Sequence, residues 1–512
     1  MITVEPKGSI TLCHTPLEAD YKNQLTFANA TKQREYFESV AVNTFIGEDY
    51  TYIRKDNQIK IQKPIDDIIN CNYLYYTNTG FTTKMYYCFI TKMEYVNENT
   101  TLVTFQTDCF QTYQFDIVYN NCFVEREHVN DDTIGLHTVP EGLETGEYIV
   151  NTKTYDNRFD ECKYIVQTTE WVGMDKPYAT NYGGIYMAGG AYICDNITAV
   201  VSILNALADA GKNDAVYNVY MVPSVLINNT SQSAQYSGQD DPIYLTETIT
   251  KPSNINGYTP INKKLLTFPY NYLLVSNNNG SSNIYKYERF NGTNCEFSIK
   301  GVPVVGGSIK INPSNYDNIN NEEEGLILGK FPTLNWSTDE YINWLRRNSI
   351  NIEVGVGASV LSLVGGTAML ATGNIAGGAM AYSGILGIAN KLGNVYQHSL
   401  QPNSARGNVV GGDINTCSSS NGIYFYSMSI KEEYARIIDN FFSMFGYKVN
   451  RVKTPNITGR TNWNYVKTID CNFDGNIPQD DLKIIKSMFD NGVTMWHNPN
   501  TFYDYSQNNA II

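Results

Sequence analysis

Between Glu353 and Lys391 the chain runs through 37 residues, Val354 to Asn390, without a charged side chain or a proline. Few folds of a water-soluble protein absorb such a stretch. Glycine stands at positions 355, 357, 365, 366, 373, 377, 378, 384 and 387. A bilayer core needs roughly 20 apolar residues in one helix. The segment is therefore long enough for two short passes joined at Thr372-Gly373-Asn374, or for one pass with slack. Small residues let helices approach closely in a membrane, whereas so many glycines are costly in an ordinary soluble helix. The alternative is a Gly/Ala-rich pair of core helices or a loop packed between subunits. Against it stands the setting, because an uncovered apolar island in an otherwise polar chain is an aggregation hazard. The segment reads as membrane-active and sheltered within an oligomer until a trigger. Its apolar side chains are Val354, Val356, Val360, Leu361, Leu363, Val364, Met369, Leu370, Ile375, Met380, Ile385, Leu386 and Ile388. Downstream, Gln401–Gly412 reads as a flexible return linker.

The remainder is a different material. With 39 Tyr, 21 Phe and only 17% charged residues among 512, the chain is neither disordered nor a long helical array. Tyr, Thr, Val, Ile and Phe favour strands, so a large, mostly β protein is expected. The net charge of −14 argues against gripping nucleic acid, because Lys and Arg must neutralise phosphates. It does not prevent nucleic acid from passing a wall that fails to attract it. The ten cysteines are scattered without a CxxC pair, which fits reduced, mostly buried thiols. Met1–Pro6 has neither a basic start nor an apolar core, so synthesis without export is expected.

Strands are expected at Ser9–Thr15, Val40–Ile46, Thr51–Arg54, Asn72–Thr77, Lys84–Val96 and Thr100–Thr107, with two brief helices between them. Asn97-Glu98-Asn99 marks a hairpin turn. Turn clusters continue at Asn181–Gly184, Gly189-Gly190, Asn228–Ser233, Asn277–Ser282 and Asn312–Asn321, and one helix is expected over Thr198–Asp209. After a strand at Ile423–Ser427, Ser429 with Glu432 forms a capping-box pattern. The helix that follows lines up Tyr434, Ile437, Ile438, Phe441, Phe442 and Phe445 and stops at Gly446. Strands at Tyr447–Lys453 and Asn462–Asp470, a helix from Pro478 to Asp490 and a strand at Val493–His497 complete a β-α-β-β-α-β order. That order matches the split βαβ pattern.

Chemical constellations are few. Asp470–Gly475 with Asp481 nearly spells a calcium loop, but position twelve carries Asp instead of Glu and a strand precedes it. A strand-to-helix turn with a capping carboxylate is the better account. His128, Asp131, Asp132 and His137 lie within ten residues but lack an adjacent third His or Cys, and a polar surface loop holds them as readily. Gly325–Lys330 is one residue short of a phosphate loop. The sequons at Asn229 and Asn291 carry no weight without a secretory route. Without HExxH or GxSxG, no nucleophile-base pair is indicated. His398, just past the apolar segment, gives little support to a pH switch.

Phe123–Thr138 (FVEREHVNDDTIGLHT) followed by Val139–Tyr148 (VPEGLETGEY) resembles the signature stretch of the distal tail tube, or tail knob, proteins of small phi29-like podoviruses. Thr15-Pro16-Leu17 and Asp20–Phe27 resemble that family's opening. Gly446–Pro455, Asn462–Tyr465, Pro478 and Phe489–Trp496 resemble its close. The match is specific over residues 1–150 and 420–512 and loose between them. The resemblance implies a mostly β (α+β) chain of β-barrel-like tail-tube domains with a C-terminal βαββαβ-like segment and a long inserted hydrophobic loop. The implied division is an N-terminal tube domain (1–150), a β-rich middle (151–335), the loop insertion (336–420) and a C-terminal segment completing the tube (421–512).

It further implies a homohexamer at the virion tail tip, made in the host cytoplasm and joined to upper tail or collar proteins. Double-stranded DNA would leave through its lumen without specific binding. The loops, Val354–Asn390 here, would plug the channel and then form a pore in the host membrane. No enzymatic activity and no cofactor are implied. Two alternatives remain: a purely structural tube or hub whose apolar segment packs between subunits, and a wall-degrading tail enzyme.

Overall fold

In two neighbouring strands, Tyr73–Asn78 and Thr82–Asn97, aromatic and apolar side chains occupy both parities of the pleat. Alternation points Tyr73, Tyr75, Tyr87 and Phe89 to one side and Leu74 and Cys88 to the other, and all six are buried. The first set packs with Phe37, Trp463 and Trp496. The second joins Ile10, Leu12, Ile59, Ile61 and Val103. A strand covered on both faces loses the apolar-polar alternation of a half-exposed one, which explains the unbroken aromatic run.

The computed structural model describes residues 8–46, 50–53, 56–78, 82–159, 161–170, 181–182, 185–186, 190–195, 197–212, 215–227, 245–278, 280–301, 306–317, 325–330, 333–334 and 423–512. They fall into two compact units.

The first unit comprises Met1–Thr145, Tyr258–Leu265 and Glu432–Ile512. Its larger sheet has seven strands in the order Ala41–Ile46, Gly8–Cys13, Tyr73–Asn78, Thr82–Asn97, Thr100–Thr107, Gln58–Ile61, Tyr50–Ile53. All neighbours are antiparallel. The two edge strands are almost consecutive in sequence, and the sheet curls into a nearly closed barrel-like form. The hairpin at Asn97–Thr100 forms as expected, with Asn97 opposite Thr100. The second sheet has five strands: Asn23–Leu25, Val493–Trp496, Trp463–Ile469, Cys122–Glu127 and Tyr447–Lys453. Asn23–Leu25 runs parallel to Val493–Trp496, so residues some 470 positions apart lie side by side.

Helix Glu432–Phe445 departs from the expected details. Ser429 does not cap it: the residue lies inside strand Ile423–Ile430, where its hydroxyl donates to the Ile430 carbonyl and accepts from Asn151 Nδ2. The buried face is Ala435, Ile438, Asp439 and Phe442, while Ile437 is 65% exposed. The helix ends at Gly446, with φ of 65° and its N–H on the Phe442 carbonyl. A Cβ there would strike the Glu127 carbonyl, so only glycine fits.

The β-α-β-β-α-β order is present along the chain, but the four strands do not build one sheet. Ile423–Ile430 belongs to the second unit, where it pairs with Tyr148–Asp156 and Asn271–Ser276. Cys122–Glu127 inserts between Tyr447–Lys453 and Trp463–Ile469 and separates that pair as well. Long-range register thus decides the sheet, and local order does not.

The second unit comprises Gly146–Gly257 and Leu266–Lys431. Its described strands form three four-stranded sheets and a short hairpin. One core includes Phe159, Ile165, Tyr220, Leu273, Tyr285, Phe297, Ile311 and Phe425. Helix Ile197–Asp209 packs on strands Cys162–Thr168 and Gly190–Cys194. Within the expected turn at Asn312–Asn321, Asn312 and Pro313 instead close strand Ser308–Pro313. The nine described cysteines are unbridged, and all but Cys162 are buried.

Candidate functional site

Residues Val354, Val356, Val360, Leu361, Leu363, Val364, Met369, Leu370, Ile375, Met380, Ile385, Leu386 and Ile388 lie outside the described residues. Among the described residues no helix is long and apolar enough to cross a membrane. What the described chain does show is how the stretch following strand Cys122–Glu127 is held.

The stretch is fixed by charges taken out of water and paired. The Glu141 side chain is fully buried and receives Arg126 Nη2 and Lys264 Nζ, together with the backbone N–H of Lys448 at 2.9 Å. Arg126 also donates to the Gly446 carbonyl at 2.7 Å and lies over the Phe441 ring. Lys264 reaches the Val139 carbonyl at 2.8 Å. Burial pulls the Lys264 ammonium below its ordinary value, and Glu141 opposes that shift. Two cations on one buried carboxylate satisfy its lone pairs, which is the condition under which a buried ionic group is tolerated. Next along the strand, Glu127 accepts from Lys453 and from the backbone N–H of Asn456 at 2.8 Å.

His128 is enclosed. Its Nδ1 accepts the Tyr465 N–H at 2.7 Å, and its Nε2 faces the Ser443 carbonyl at 3.1 Å. The proton therefore sits on Nε2. Burial, aided by the nearby Arg460 charge, pushes the imidazole down to about 3, so the ring is neutral. Asp132 accepts from Tyr447 Oη at 2.6 Å and the Lys263 N–H at 3.0 Å. His137 faces the Asp131 carbonyl at 2.6 Å and packs on Tyr447. Of the four residues that sequence spacing could draw as a metal cluster, His128 and Asp132 are committed to protein hydrogen-bond partners, and His137 meets the backbone carbonyl of Asp131 instead of its carboxylate. Among the described residues no group of three potential ligands converges.

Sequence reading gives no sign of the strap Tyr258–Leu265. Asp439 gathers it, accepting from Tyr258 Oη at 2.6 Å, Ile261 N at 2.7 Å, and Asn262 N and Nδ2 at 2.9 and 2.7 Å. The available signal is a carboxylate on the apolar face of a helix, between Ile438 and Phe442, which requires donors from elsewhere.

This arrangement binds segments far apart in sequence and offers no exposed nucleophile or poised base. Its chemistry is that of a mechanical staple. On the outer face of the same sheet, Phe123 lies opposite both Val452 and Ile469, and the three are 36%, 69% and 46% exposed. These three side chains place an exposed apolar row on that face. The calcium-like loop is a turn in which Asp490 accepts the Cys471 N–H at 3.1 Å, but the expected capping carboxylate is not there: helix Gln479–Asn491 has Pro478 at its N-cap, with no side-chain cap. Gly325–Lys330 contributes strand Leu326–Lys330.

Comparison with known proteins gives a consistent result. The family described as "Bacillus phage phi29, Tail knob protein gp9, C-terminal domain" matches residues 232–510, and "Caudoviral major tail protein N-terminus" matches residues 8–120. Tail knob protein gp9 of Bacillus phage B103 is 26% identical, with 97% of each chain covered. Tail knob protein gp9 of Bacillus phage phi29 is 24% identical, with 98% of each chain covered. The solved structure of the bacteriophage C1 tail knob protein, gp12, superposes with a TM-score of 0.63 at 17% identity, over 99% of this chain and all of that one.

Proposed function

Because the chain belongs to the phi29 tail knob protein gp9 family, matched over more than half its length, we propose that it forms the distal tail tube through which a phage genome leaves. As a tail knob protein it is a structural component of the virion tail and not an enzyme. In this reading six copies assemble into the tube, join upper tail or collar proteins, and pass double-stranded DNA through an acidic wall that does not retain it. The chain is made in the host cytoplasm and meets the host membrane from outside at infection.

One observation carries the finer part of the reading: a 37-residue stretch, Val354–Asn390, without charge or proline in an otherwise polar chain. Its length suits a membrane and its composition demands shelter beforehand, which a channel lumen provides. The exposed row Val452–Phe123–Ile469 supports assembly with further copies. The deciding experiment adds purified protein to dye-loaded liposomes. The full chain is expected to release dye, and a chain lacking residues 354–390 is expected to remain assembled and release none. Leakage that survives the deletion refutes the assignment of the segment. If the deletion instead breaks the oligomer and the intact protein leaves liposomes sealed, the segment is cement between subunits.

A further inference from the structure

Between the first turns of helix Ala30–Ser39 and strand Thr82–Asn97 lies a cleft of about 600 Å³ that nothing above employs. Its size falls within the range of about 300–1,000 Å³ typical of small-ligand sites. Its charges are already matched. Arg34 Nε donates to Glu38 at 2.6 Å, and Lys84 pairs with Asp116. Its floor is fixed, because Gln33 is buried and holds the Gln111 carbonyl at 2.7 Å. Beside Asp116, Phe115 leaves 46% of its surface open at the rim.

These features discriminate among ligand classes. A phosphate or free carboxylate would have to compete with the carboxylates already paired with both cations. An apolar ligand would strip water from two ion pairs without replacing their hydrogen bonds. A neutral polyol meets neither obstacle. The Arg34 guanidinium carries five N–H groups, the Asp116 carboxylate about four lone-pair positions, and the Thr31 and Thr77 hydroxyls serve as donor or acceptor. Paired donors and acceptors of this kind suit vicinal hydroxyls, and an open aromatic ring suits the C–H face of a pyranose.

We propose that this cleft binds a neutral oligosaccharide, with Phe115 stacking on one sugar ring and Arg34, Asp116 and Thr31 holding its hydroxyls. Such a site would tether the protein to a glycan surface, a role separate from the membrane segment and independent of it.

The test is calorimetric titration of the full chain with chitotetraose and with maltotetraose, using a heparin tetrasaccharide as the anionic comparison. At least one neutral tetrasaccharide is expected to bind. Phe115→Ala should weaken it about tenfold, the scale of one aromatic stacking contact. Thr31→Trp, which fills the cleft from an exposed position, should abolish it. Both variants change exposed side chains, and an unchanged melting transition establishes that they fold. The proposal fails if neither neutral sugar binds at about 10 mM, if binding survives both substitutions, or if the heparin fragment binds more tightly than the neutral sugars.

Discussion

The Nδ1 of His128 accepts the backbone N–H of Tyr465 at 2.7 Å, so this ring must stay uncharged for the first unit to hold together. In the folded chain burial holds the imidazole down to about 3, against about 6.5 in an unfolded chain. Between those values the unfolded state binds the extra proton, so the His128 contribution is complete above about pH 6.5 and declines as pH falls toward 3. His497, pushed down to about 4 by burial, acts in the same direction. The expected outcome is a melting temperature that drops steadily from pH 6.5 to pH 4. In His128→Gln the drop is shallower and starts from a neutral-pH stability lower by about 1–3 kcal/mol, reflecting the impaired buried hydrogen bonds.

Asp108 has the opposite sign. It caps helix Cys109–Tyr113 through the Gln111 N–H and accepts Tyr73 Oη at 3.0 Å, and burial raises its carboxyl to about 7. A carboxyl raised on folding favours the protonated native state, so its contribution is fullest below about pH 4 and is lost as pH rises through 7. Asp108→Asn keeps the cap acceptor and carries no charge. Thermal melts from pH 4 to pH 8 should show the variant gaining on the parent protein as pH rises. A difference independent of pH would refute the assignment.

Asp439→Ala removes the acceptor of two backbone N–H groups and two side-chain donors in the strap. The expected loss is about 3–5 kcal/mol, since a buried charged acceptor is deleted with its partners left behind. Limited proteolysis should then cut within residues 258–265 before it cuts elsewhere in the first unit.

Gly446→Ala places a methyl group against the Glu127 carbonyl at a φ of 65°. Left-handed strain alone costs about 1–2 kcal/mol, and the clash adds to it. Chemical denaturation should show a loss above about 2 kcal/mol, whereas Gly142→Ala, with positive φ but open space, should lose only the strain.

Elements whose signal is local are legible in the sequence. Thr100–Thr107 alternates buried and half-exposed side chains, and Asn97-Glu98-Asn99 announces its turn. The uncharged stretch at 354–390 is a property of the sequence itself and lies outside the described residues. What is not legible depends on distant partners. Ile423–Ile430 reads as a strand, but nothing local says that it pairs with Tyr148–Asp156. Ser429 and Glu432 have cap spacing, yet strand pairing continues through Ser429 and the helix begins later. Arg126, Glu141 and Lys264 look like solvated charges until the fold brings them together. The polar staple is thus nearly invisible in sequence.

The side-by-side placement of Leu25 and Trp496 sets an order of events during synthesis. A ribosome must pass residue 496 before the five-stranded sheet can close, so the opening strands emerge early and wait for a partner made at the end. At about 5–20 residues per second that wait is about 25–95 seconds. The stretch at 354–390 emerges well within it, while the first unit is unfinished. This uncharged passage of the sequence therefore leaves the ribosome before the scaffold of the first unit is complete. Translation speed and chaperones thereby become part of what decides the yield of folded protein.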